Sequence, residues 1–136
     1  MPSSKRIDVK ACAGRSGCPL TNTLDIIGDK WTLLVIRDML ILGKSLFSDF
    51  LESPEGISTN ILTDRLKRLE EYGLLEKKPY QEKPVRHAYE LTLLGLELKP
   101  VMMEIAKWGL RNIEGTLAPT EEQLSEIRKK YAERAL

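Results

Sequence analysis

The segment GISTNILTDRLKRLEEYGLLEKK, residues 56–78, predicts an amphipathic helix with two chemically different faces. Ser58 is a good N-cap, because its hydroxyl can accept a hydrogen bond from an amide of the first turn. Leu62, Leu66 and Leu69 recur at helical spacing and form the stripe that is expected to be buried. Amide, hydroxyl, cationic and acidic side chains then lie on the other face, which contacts either water alone or a ligand.

The predicted elements around this helix follow the order of a winged helix-turn-helix domain. Three helices are expected before it: one behind Pro19, one that starts at Asp29 and is apolar almost all round, and a short one over residues 45–53. After Gly73, which is placed as the C-cap, the pattern changes to two short strands around a turn within residues 74–92. The expected fold class is mainly α with a small β-hairpin.

Two more helices are expected after the hairpin. A long helix runs from about Thr92 to Ile113, with a kink at Pro100. A last helix begins at Thr120, which forms a capping box with Gln123. The long helix carries a heptad-like seam of apolar side chains, which comprises Leu94, Leu98, Val101, Ile105 and Trp108.

This apolar seam has two interpretations. In a monomer it packs back onto the core of its own chain. The helix that starts at Asp29 already occupies the centre of a small core, so we expect instead a twofold dimer interface formed by the N- and C-terminal helices. The further side chains predicted for this interface are Leu20, Leu24, Leu124, Ile127 and Tyr131.

Composition excludes some classes of protein and leaves others open. The chain has 136 residues, 42% of them hydrophobic and 30% charged, as expected of one globular domain. Its formal net charge of +1 does not by itself favour nucleic acid. Because no apolar run approaches a membrane span and no secretory signal is present, we expect no membrane association and a cytoplasmic location.

The polar face of the helix over residues 58–72 offers the groups that read a major groove. With the leucines buried, the outward side chains are Asn60, Asp64, Lys67 and Glu71, flanked by Thr63 and Arg68. Amides pair with adenine edges, cations with guanine or phosphate, and hydroxyls with either. The predicted hairpin adds groups suited to phosphates or the minor groove: Lys77, Lys78, Lys83, Arg86 and His87.

A solvated surface is the alternative interpretation of the same charges. Asp64 with Arg68, and Lys67 with Glu71, are spaced as i,i+4 ion pairs worth about 0.2–0.5 kcal/mol each. Acids and bases nearly balance in this region, so charge alone does not decide between water and DNA. The order of the predicted elements favours DNA.

Five stretches together resemble the HxlR-type transcriptional regulators, a group of winged helix-turn-helix proteins related in architecture to the MarR group. They are CPLTNTLDIIGDKWTLLVIRDML (18–40), FSDF (47–50), GISTNILTDRLKRLEEYGLL (56–75), YQEKPVRHAYELTLLG (80–95) and PVMMEIAKWG (100–109). The resemblance covers about two-thirds of the chain. It implies a homodimer that binds double-stranded DNA at a short inverted repeat and acts as a repressor or an activator.

The resemblance also implies roles for particular residues. The DNA-reading helix corresponds to residues 58–72, with contacts expected from Ser58, Thr59, Asn60, Thr63, Arg65 and Lys67; Arg68 is added from the polar face. Wing contacts fall at residues 83–87, with Lys83, Arg86 and His87 as candidates, and backbone contacts at Lys44 and Ser48. Leu46 departs from the family pattern, in which a basic or polar residue often precedes the Phe of FSDF, and this removes one expected phosphate contact.

These roles divide the chain into three parts. Residues 1–17 are expected to be a flexible basic arm, residues 18–92 the winged helix-turn-helix DNA-binding domain, and residues 93–136 the C-terminal dimerisation helices.

The two cysteines, Cys12 and Cys18, match no CxxC redox or zinc spacing. Cys18 precedes Pro19 at the start of the first helix, where the helix dipole can lower the pKa of a thiol. In the resembled family a cysteine at this position can sense electrophiles or oxidants, which makes Cys18 the candidate sensor. Cys12 is a candidate resolving partner, and the alternative is an ordinary reduced thiol.

No catalytic, metal or cofactor site is predicted. His87 is the only histidine, and nothing places a nucleophile or a carboxylate pair beside it. A thiol-based redox enzyme is disfavoured because the CxxC geometry is missing. The main alternative to a regulator is a winged-helix protein-interaction module without DNA binding, which the near-neutral charge favours. The operator, the controlled genes and any oxidant or small-molecule effector are not identified by these residues.

Overall fold

The computed structural model describes residues 6–11 and 15–135. After a short 3-10 turn at Val9–Ala11, the elements are α1 (Pro19–Ile27), α2 (Thr32–Leu40), α3 (Phe47–Phe50), α4 (Thr59–Glu71), β1 (Leu75–Glu82), β2 (Val85–Leu91), α5 (Leu93–Leu96), α6 (Leu98–Asn112) and α7 (Glu121–Arg134). This mostly helical arrangement with one antiparallel hairpin confirms the expected winged helix-turn-helix class. None of the helices in the described ranges is both long and apolar enough to cross a membrane.

The core forms where α4 packs against α2. Leu62, Leu66 and Leu69 of α4 are buried, as the periodicity predicts, and they share one cluster with Ile36 of α2 and Phe50 of α3. Burying a leucine side chain contributes about 1.5–3 kcal/mol relative to leaving it in water. Rotating α4 about its axis would expose all three leucines together, so the rotation of this helix is fixed.

The hairpin is held by the helices, because two strands alone are at best marginally stable in water. Strands β1 and β2 pair antiparallel, with a shift of register between Pro79 and Gln81. The Tyr89 amide donates a hydrogen bond of 2.8 Å to the Ser45 carbonyl, and the Tyr89 and Phe50 rings lie 6.3 Å apart edge to face. The wing is therefore attached to the segment that leads into α3.

The helix expected from about Thr92 to Ile113 is instead two helices, and this part of the prediction is wrong. The break lies at Glu97, between α5 and α6, and not at Pro100. Pro100 lies in the first turn of α6, where its missing N–H removes no helical hydrogen bond. Leu94 and Leu98 are partly buried and pack against the core of their own chain, and their assignment to a dimer interface stays a prediction.

Two of the earlier helices are shorter than expected. Helix α2 starts at Thr32, and the Asp29 carboxylate accepts hydrogen bonds from the amides of Trp31 and Thr32 in the turn that leads into the helix. Its end is set by Gly43, whose φ of +74° is unfavourable for other residues. Helix α3 has only four residues, Phe47–Phe50.

The C-terminal helix α7 begins at the expected capping box, in which the Gln123 amide donates to Thr120 Oγ1 at 3.1 Å and the Thr120 amide donates to Gln123 Oε1 at 2.9 Å. Tyr131 on this helix is only 5% exposed within its own subunit. That burial corrects its assignment to the dimer interface, because little of its ring surface remains for a partner. Leu124 and Ile127 are partly exposed.

The described part of the N-terminal arm contacts the domain. Arg15 forms an ion pair with Asp25 of α1, and Ser16 Oγ accepts a hydrogen bond of 3.1 Å from the Cys18 amide. Arg15 and Ser16 therefore contact the start of α1, and the flexible arm expected over residues 1–17 stays a prediction.

Candidate nucleic-acid interface

The hydrophilic side of α4 is open to solvent in the single subunit. Ser58 caps the helix as expected, since its Oγ accepts a hydrogen bond of 3.2 Å from the Ile61 amide. The buried leucines hold the opposite side, so Asn60, Thr63 and Lys67 are all exposed. The N-terminal half of α4 thus presents an amide, a hydroxyl and a cation on a surface that the described chain leaves uncovered.

Arg65, a predicted DNA contact, is engaged within the protein. Its Nε lies 2.8 Å from Oδ2 of Asp29, in the turn before α2, and its guanidinium also pairs with Asp64. Only 19% of the Arg65 side chain is exposed. This ion pair joins α4 to the N-terminal end of α2 across 36 positions of sequence, which is why spacing rules along one helix did not find it.

The Asp29 carboxylate is held ionised by this arrangement. Burial alone would raise its pKa, but hydrogen bonds from the Thr32 hydroxyl, Arg65 and the Trp31 amide outweigh burial and lower the pKa of Asp29 to about 2. The same hydrogen bond raises the pKa of Arg65. Both groups therefore stay charged across the physiological pH range and hold α4 in place.

The remaining cations of α4, Lys67 and Arg68, form no ion pair with an acid in the described part of the chain. Asp64 pairs with Arg65 and not with Arg68, so the expected Asp64–Arg68 pair does not form. Within residues 6–11 and 15–135, no ion pair engages Lys67 or Arg68 either. The solvated-surface interpretation relied on such pairs, and their absence here leaves both cations available to phosphate or base.

The wing carries a second group of available cations. Lys83 and Arg86 are exposed at the hairpin turn, and neither takes part in an ion pair in the part of the chain that the structure describes. Lys78 differs, because its Nζ lies 2.8 Å from Glu90 on the paired strand. His87 is half-buried opposite Pro79. The turn of the hairpin thus presents two cations, Lys83 and Arg86, beside the exposed Glu82.

Lys44 does not lie where a phosphate contact requires it, which corrects that prediction. Its residue is only 3% exposed, and its Nζ lies 3.1 Å from Asp38 Oδ2 and 3.3 Å from Ser53 Oγ. An acid in the middle of the apolar α2 segment is the signal that could have found this pair, because a buried carboxylate needs a partner. Ser48 is exposed in α3, as a backbone contact requires.

Cys18 is a free, exposed thiol at the N-cap of α1. Hydrogen bonds from the Thr21 amide, the Thr21 hydroxyl and the Leu20 amide lower the pKa of Cys18. The thiolate fraction at neutral pH is correspondingly larger than that of an ordinary cysteine. Cys12 lies outside the described residues.

A row of large apolar side chains is uncovered on α1 and α6. We call it the apolar face and define it by Leu20, Leu24, Val101, Ile105 and Trp108, whose exposures run from 39% to 67%. Sequence spacing had assigned all five to a dimer interface. It did not single out Leu110 and Ile113, which are also exposed near the end of α6.

Residues 26–117 match the model of the HxlR-like helix-turn-helix family. One relative is the HTH-type transcriptional regulator sll1512 of Synechocystis sp., which is 37% identical over 92 residues; the match covers 68% of this chain and 67% of that protein. Another is the HTH-type transcriptional regulator YybR of Bacillus subtilis, which is 35% identical over 98 residues; the match covers 72% of this chain and 78% of that protein. Both names describe regulators of transcription and neither describes an enzyme.

Solved structures agree with the fold. A MarR-family transcriptional regulator from Porphyromonas gingivalis W83 superposes with a TM-score of 0.63 at 37% identity, over 72% of this chain and 95% of that one. The redox regulator HypR in its reduced form gives a TM-score of 0.65 at 32% identity, over 71% and 95%. The winged helix-turn-helix architecture is thus shared with regulators of known structure.

We predict that Asp29→Asn and Arg65→Gln destabilise the fold through one shared interaction. Because the pair is partly exposed, we expect a coupling energy of about 1 kcal/mol from a double-mutant cycle measured by urea unfolding at pH 7. Glu71→Gln, an exposed change on α4, is the control and should have little effect. Additive effects of Asp29→Asn and Arg65→Gln would show that the contact contributes nothing.

The pH dependence of this contribution follows from the lowered pKa of Asp29. A folded-state pKa of about 2, below the ordinary value of about 3.9, means that the unfolded chain binds the proton more readily. The stabilisation is present above about pH 4 and is lost as the pH falls towards 2. Unfolding curves of Asp29→Asn should therefore depend less on pH in this window than those of the wild type.

Proposed function

Because this chain belongs to the HxlR-like helix-turn-helix family, we propose that two copies of it bind one inverted-repeat operator through α4 and the wing. A DNA-binding regulator of transcription is the function of the family, and the relatives carry that name. The observation that supports the finer proposal most strongly is the exposed polar side of α4, fixed outward by three buried leucines.

We assign the reading of base edges to the N-terminal half of α4. In helix-turn-helix proteins this part of the second helix enters the major groove. Asn60 is suited to adenine and Lys67 to guanine, while hydroxyls contact either base. The residues assigned to this surface are Ser58, Thr59, Asn60, Thr63, Lys67 and Arg68. For Arg65 we propose a supporting role, since its guanidinium already serves Asp29 and Asp64.

Phosphate contacts are assigned to the wing and to α3. Lys83 and Arg86 carry charges that no acid neutralises in the described part of the chain, and His87 and Ser48 add hydrogen-bonding groups. Such contacts position a protein on DNA without reading sequence. They also release counterions, so affinity should fall steeply with salt.

The apolar face supports the assembly of two copies. Large apolar side chains exposed on α1 and α6 are unfavourable in water, and each Å² removed from water contributes about 25 cal/mol. A twofold arrangement buries the same face on both subunits. It also places the two reading helices about 34 Å apart, on successive turns of the duplex. We therefore propose that residues 93–136, together with α1, dimerise the DNA-binding part at residues 18–92.

For Cys18 we propose control of DNA binding by oxidants or electrophiles. The support is the exposed thiol with a lowered pKa at the start of α1, close along the chain to Leu20 and Leu24 of the apolar face. A structural neighbour, HypR, is named a redox regulator. The Cys18 thiolate and a second thiol would lose two electrons to the oxidant as a disulfide forms. Cys12 or a small thiol is the candidate for the second sulfur.

The proposed reading residues predict two different kinds of DNA-binding defect. Asn60→Ala and Lys67→Ala should reduce discrimination between the selected operator and random duplex by about 1–3 kcal/mol each, because a base contact is lost. Lys83→Ala and Arg86→Ala should weaken binding to both duplexes alike and lower the slope of log affinity against log salt by about 1.

Selection of bound sites from random duplexes, followed by binding titrations at several salt concentrations, measures both quantities. Lys129→Ala, an exposed change on α7, is the matched control for loss of a lysine. If all four variants lost the same affinity for specific and random DNA, the assignment of reading residues would be rejected. If the wild type bound no duplex, the proposed function would fail.

Placing a charge on the apolar face should separate the two subunits. Ile105→Asp is expected to convert the dimer to a monomer in sedimentation velocity, since a carboxylate would have to be buried without a partner. Lys99→Asp lies on the opposite side of α6 and should leave the dimer intact. A wild-type protein that sediments as a monomer at micromolar concentration would refute the dimer.

Replacing the candidate sensor should remove any response to oxidant. We expect diamide to release the wild-type protein from its operator and to leave Cys18→Ser bound, with Cys12→Ser showing whether the second thiol is needed. Binding is measured by fluorescence anisotropy before and after treatment, and reversal by dithiothreitol confirms a disulfide. Equal release of wild type and Cys18→Ser would end the proposal.

A further inference from the structure

Helix α7 lies beyond residue 117, where the family match ends, yet it docks on the helix-turn-helix itself. The residues that make this contact, Arg128, Tyr131 and Arg134, are spaced three apart and share one side of the helix. They contact the end of α2, the loop after it and the region of α3. This chain therefore adds to the matched region a helix that packs against the DNA-binding part.

Tyr131 covers a buried ion pair. Lys44 Nζ lies 5.2 Å from the centre of the Tyr131 ring, within the range of a cation–π contact, and 3.1 Å from Asp38 Oδ2. The Tyr131 hydroxyl donates a hydrogen bond of 3.2 Å to Glu52, just after α3. An ammonium group removed from water needs such partners on every side. Opening the Tyr131 side would admit water to the Lys44–Asp38 pair.

Arg134 faces the carboxylate that starts α3. Asp49 Oδ2 accepts hydrogen bonds from the amides of Leu46 at 3.1 Å and Ser45 at 3.4 Å, which fixes the first turn of the helix. The other oxygen, Oδ1, is buried and accepts no hydrogen bond within the described residues; Arg134 Nη1 lies 3.6 Å from it. Arg134 Nη1 thus lies within ion-pair distance of a carboxylate that holds the first turn of α3, and the same guanidinium pairs with Glu52.

A third contact closes the end of α2. Arg128 Nε donates a hydrogen bond of 2.8 Å to the carbonyl of Ile41, the residue after α2 ends. Carbonyls at a helix C-terminus have no partner within the helix, so this bond satisfies one of them. Arg128, Tyr131 and Arg134 of α7 therefore contact the segment from Ile41 to Glu52 at three places.

We propose that Tyr131 and Arg134 are positioning residues for DNA binding, and that α7 is an intramolecular strap that holds α3 and its approach in the DNA-competent arrangement. The strap acts on the segment that carries Ser48 and that hydrogen-bonds to the wing through Ser45. Because α7 follows α6 along the chain, α7 connects α6, which bears part of the apolar face, to the segment that precedes α4. The DNA part of this inference rests on the proposed function, whereas the docking part does not.

Two variants and one matched control test the strap. Arg134→Gln removes the cation that faces Asp49, and Tyr131→Leu keeps an apolar side chain but removes the hydroxyl and the aromatic ring. Lys129→Gln is the control, because it removes one positive charge from an exposed position of α7. Arg134→Lys retains the charge and should restore much of the wild-type behaviour. All variants are studied as full-length chains, at temperatures where unfolding curves show them fully folded.

The first measurement is hydrogen exchange of the free protein. Amides within residues 44–53 should exchange faster in Arg134→Gln and Tyr131→Leu than in the wild type and in Lys129→Gln, while the amides of α4 change less. Unchanged exchange within residues 44–53 in Arg134→Gln overturns the strap, and this variant decides the question if Tyr131→Leu does not fold.

The second measurement is operator binding. We expect about tenfold weaker binding by Arg134→Gln with the same preferred sequence, and a salt slope lower by about 1 as a phosphate contact at α3 is lost. A variant with faster exchange and wild-type affinity would overturn the positioning role. Failure of the wild type to bind any duplex would reject the proposed function, and the exchange experiment would still decide whether α7 is a strap.

Discussion

The packing of the α4 leucines against α2 is the constraint on which the rest of the structure depends. Leu62, Leu66 and Leu69 are each 3% exposed or less, so the rotation of α4 about its axis is fixed by the core. That rotation in turn decides which side chains lie outside. The ion pair between Asp29 and Arg65 adds a polar contact on the edge of this interface and joins α4 to the start of α2. The packing of these leucines therefore both stabilises the fold and keeps the polar side of α4 exposed.

The near-neutral total charge of the chain conceals an uneven distribution. Many acids are neutralised internally: Asp29 by Arg65, Asp38 by Lys44 and Arg37, Glu55 by Arg37, and Glu52 by Arg134. The cations on the exposed side of α4 and at the turn of the wing have no such partners in the described part of the chain. A formal charge of +1 is therefore compatible with unpaired cations at these two places, and association of two subunits would double their number.

The features that sequence predicted and those it missed differ in the range of the interactions that produce them. The start of α4 at Ser58, the capping box at Thr120 and the two strands follow from residues a few positions apart, and the structure confirms them. The burial of Lys44 follows from Asp38 and Ser53, and the burial of Tyr131 from a helix that returns to α3 after a long excursion of the chain. No local pattern encodes the pairing of Tyr131 with Glu52, which lie 79 positions apart, whereas the acid Asp38 in the apolar α2 segment did indicate a buried partner nearby.

The separation of anchoring and exposed residues on α4 has a consequence for how such proteins diversify. Asn60, Thr63 and Lys67 contribute little to the core, so substitutions there leave folding largely intact while they change what the helix can recognise. After gene duplication, a copy could acquire a new target by a few substitutions on one side of one helix. The leucines and the Asp29–Arg65 pair would stay under a separate selection for folding, and the two selections would rarely conflict.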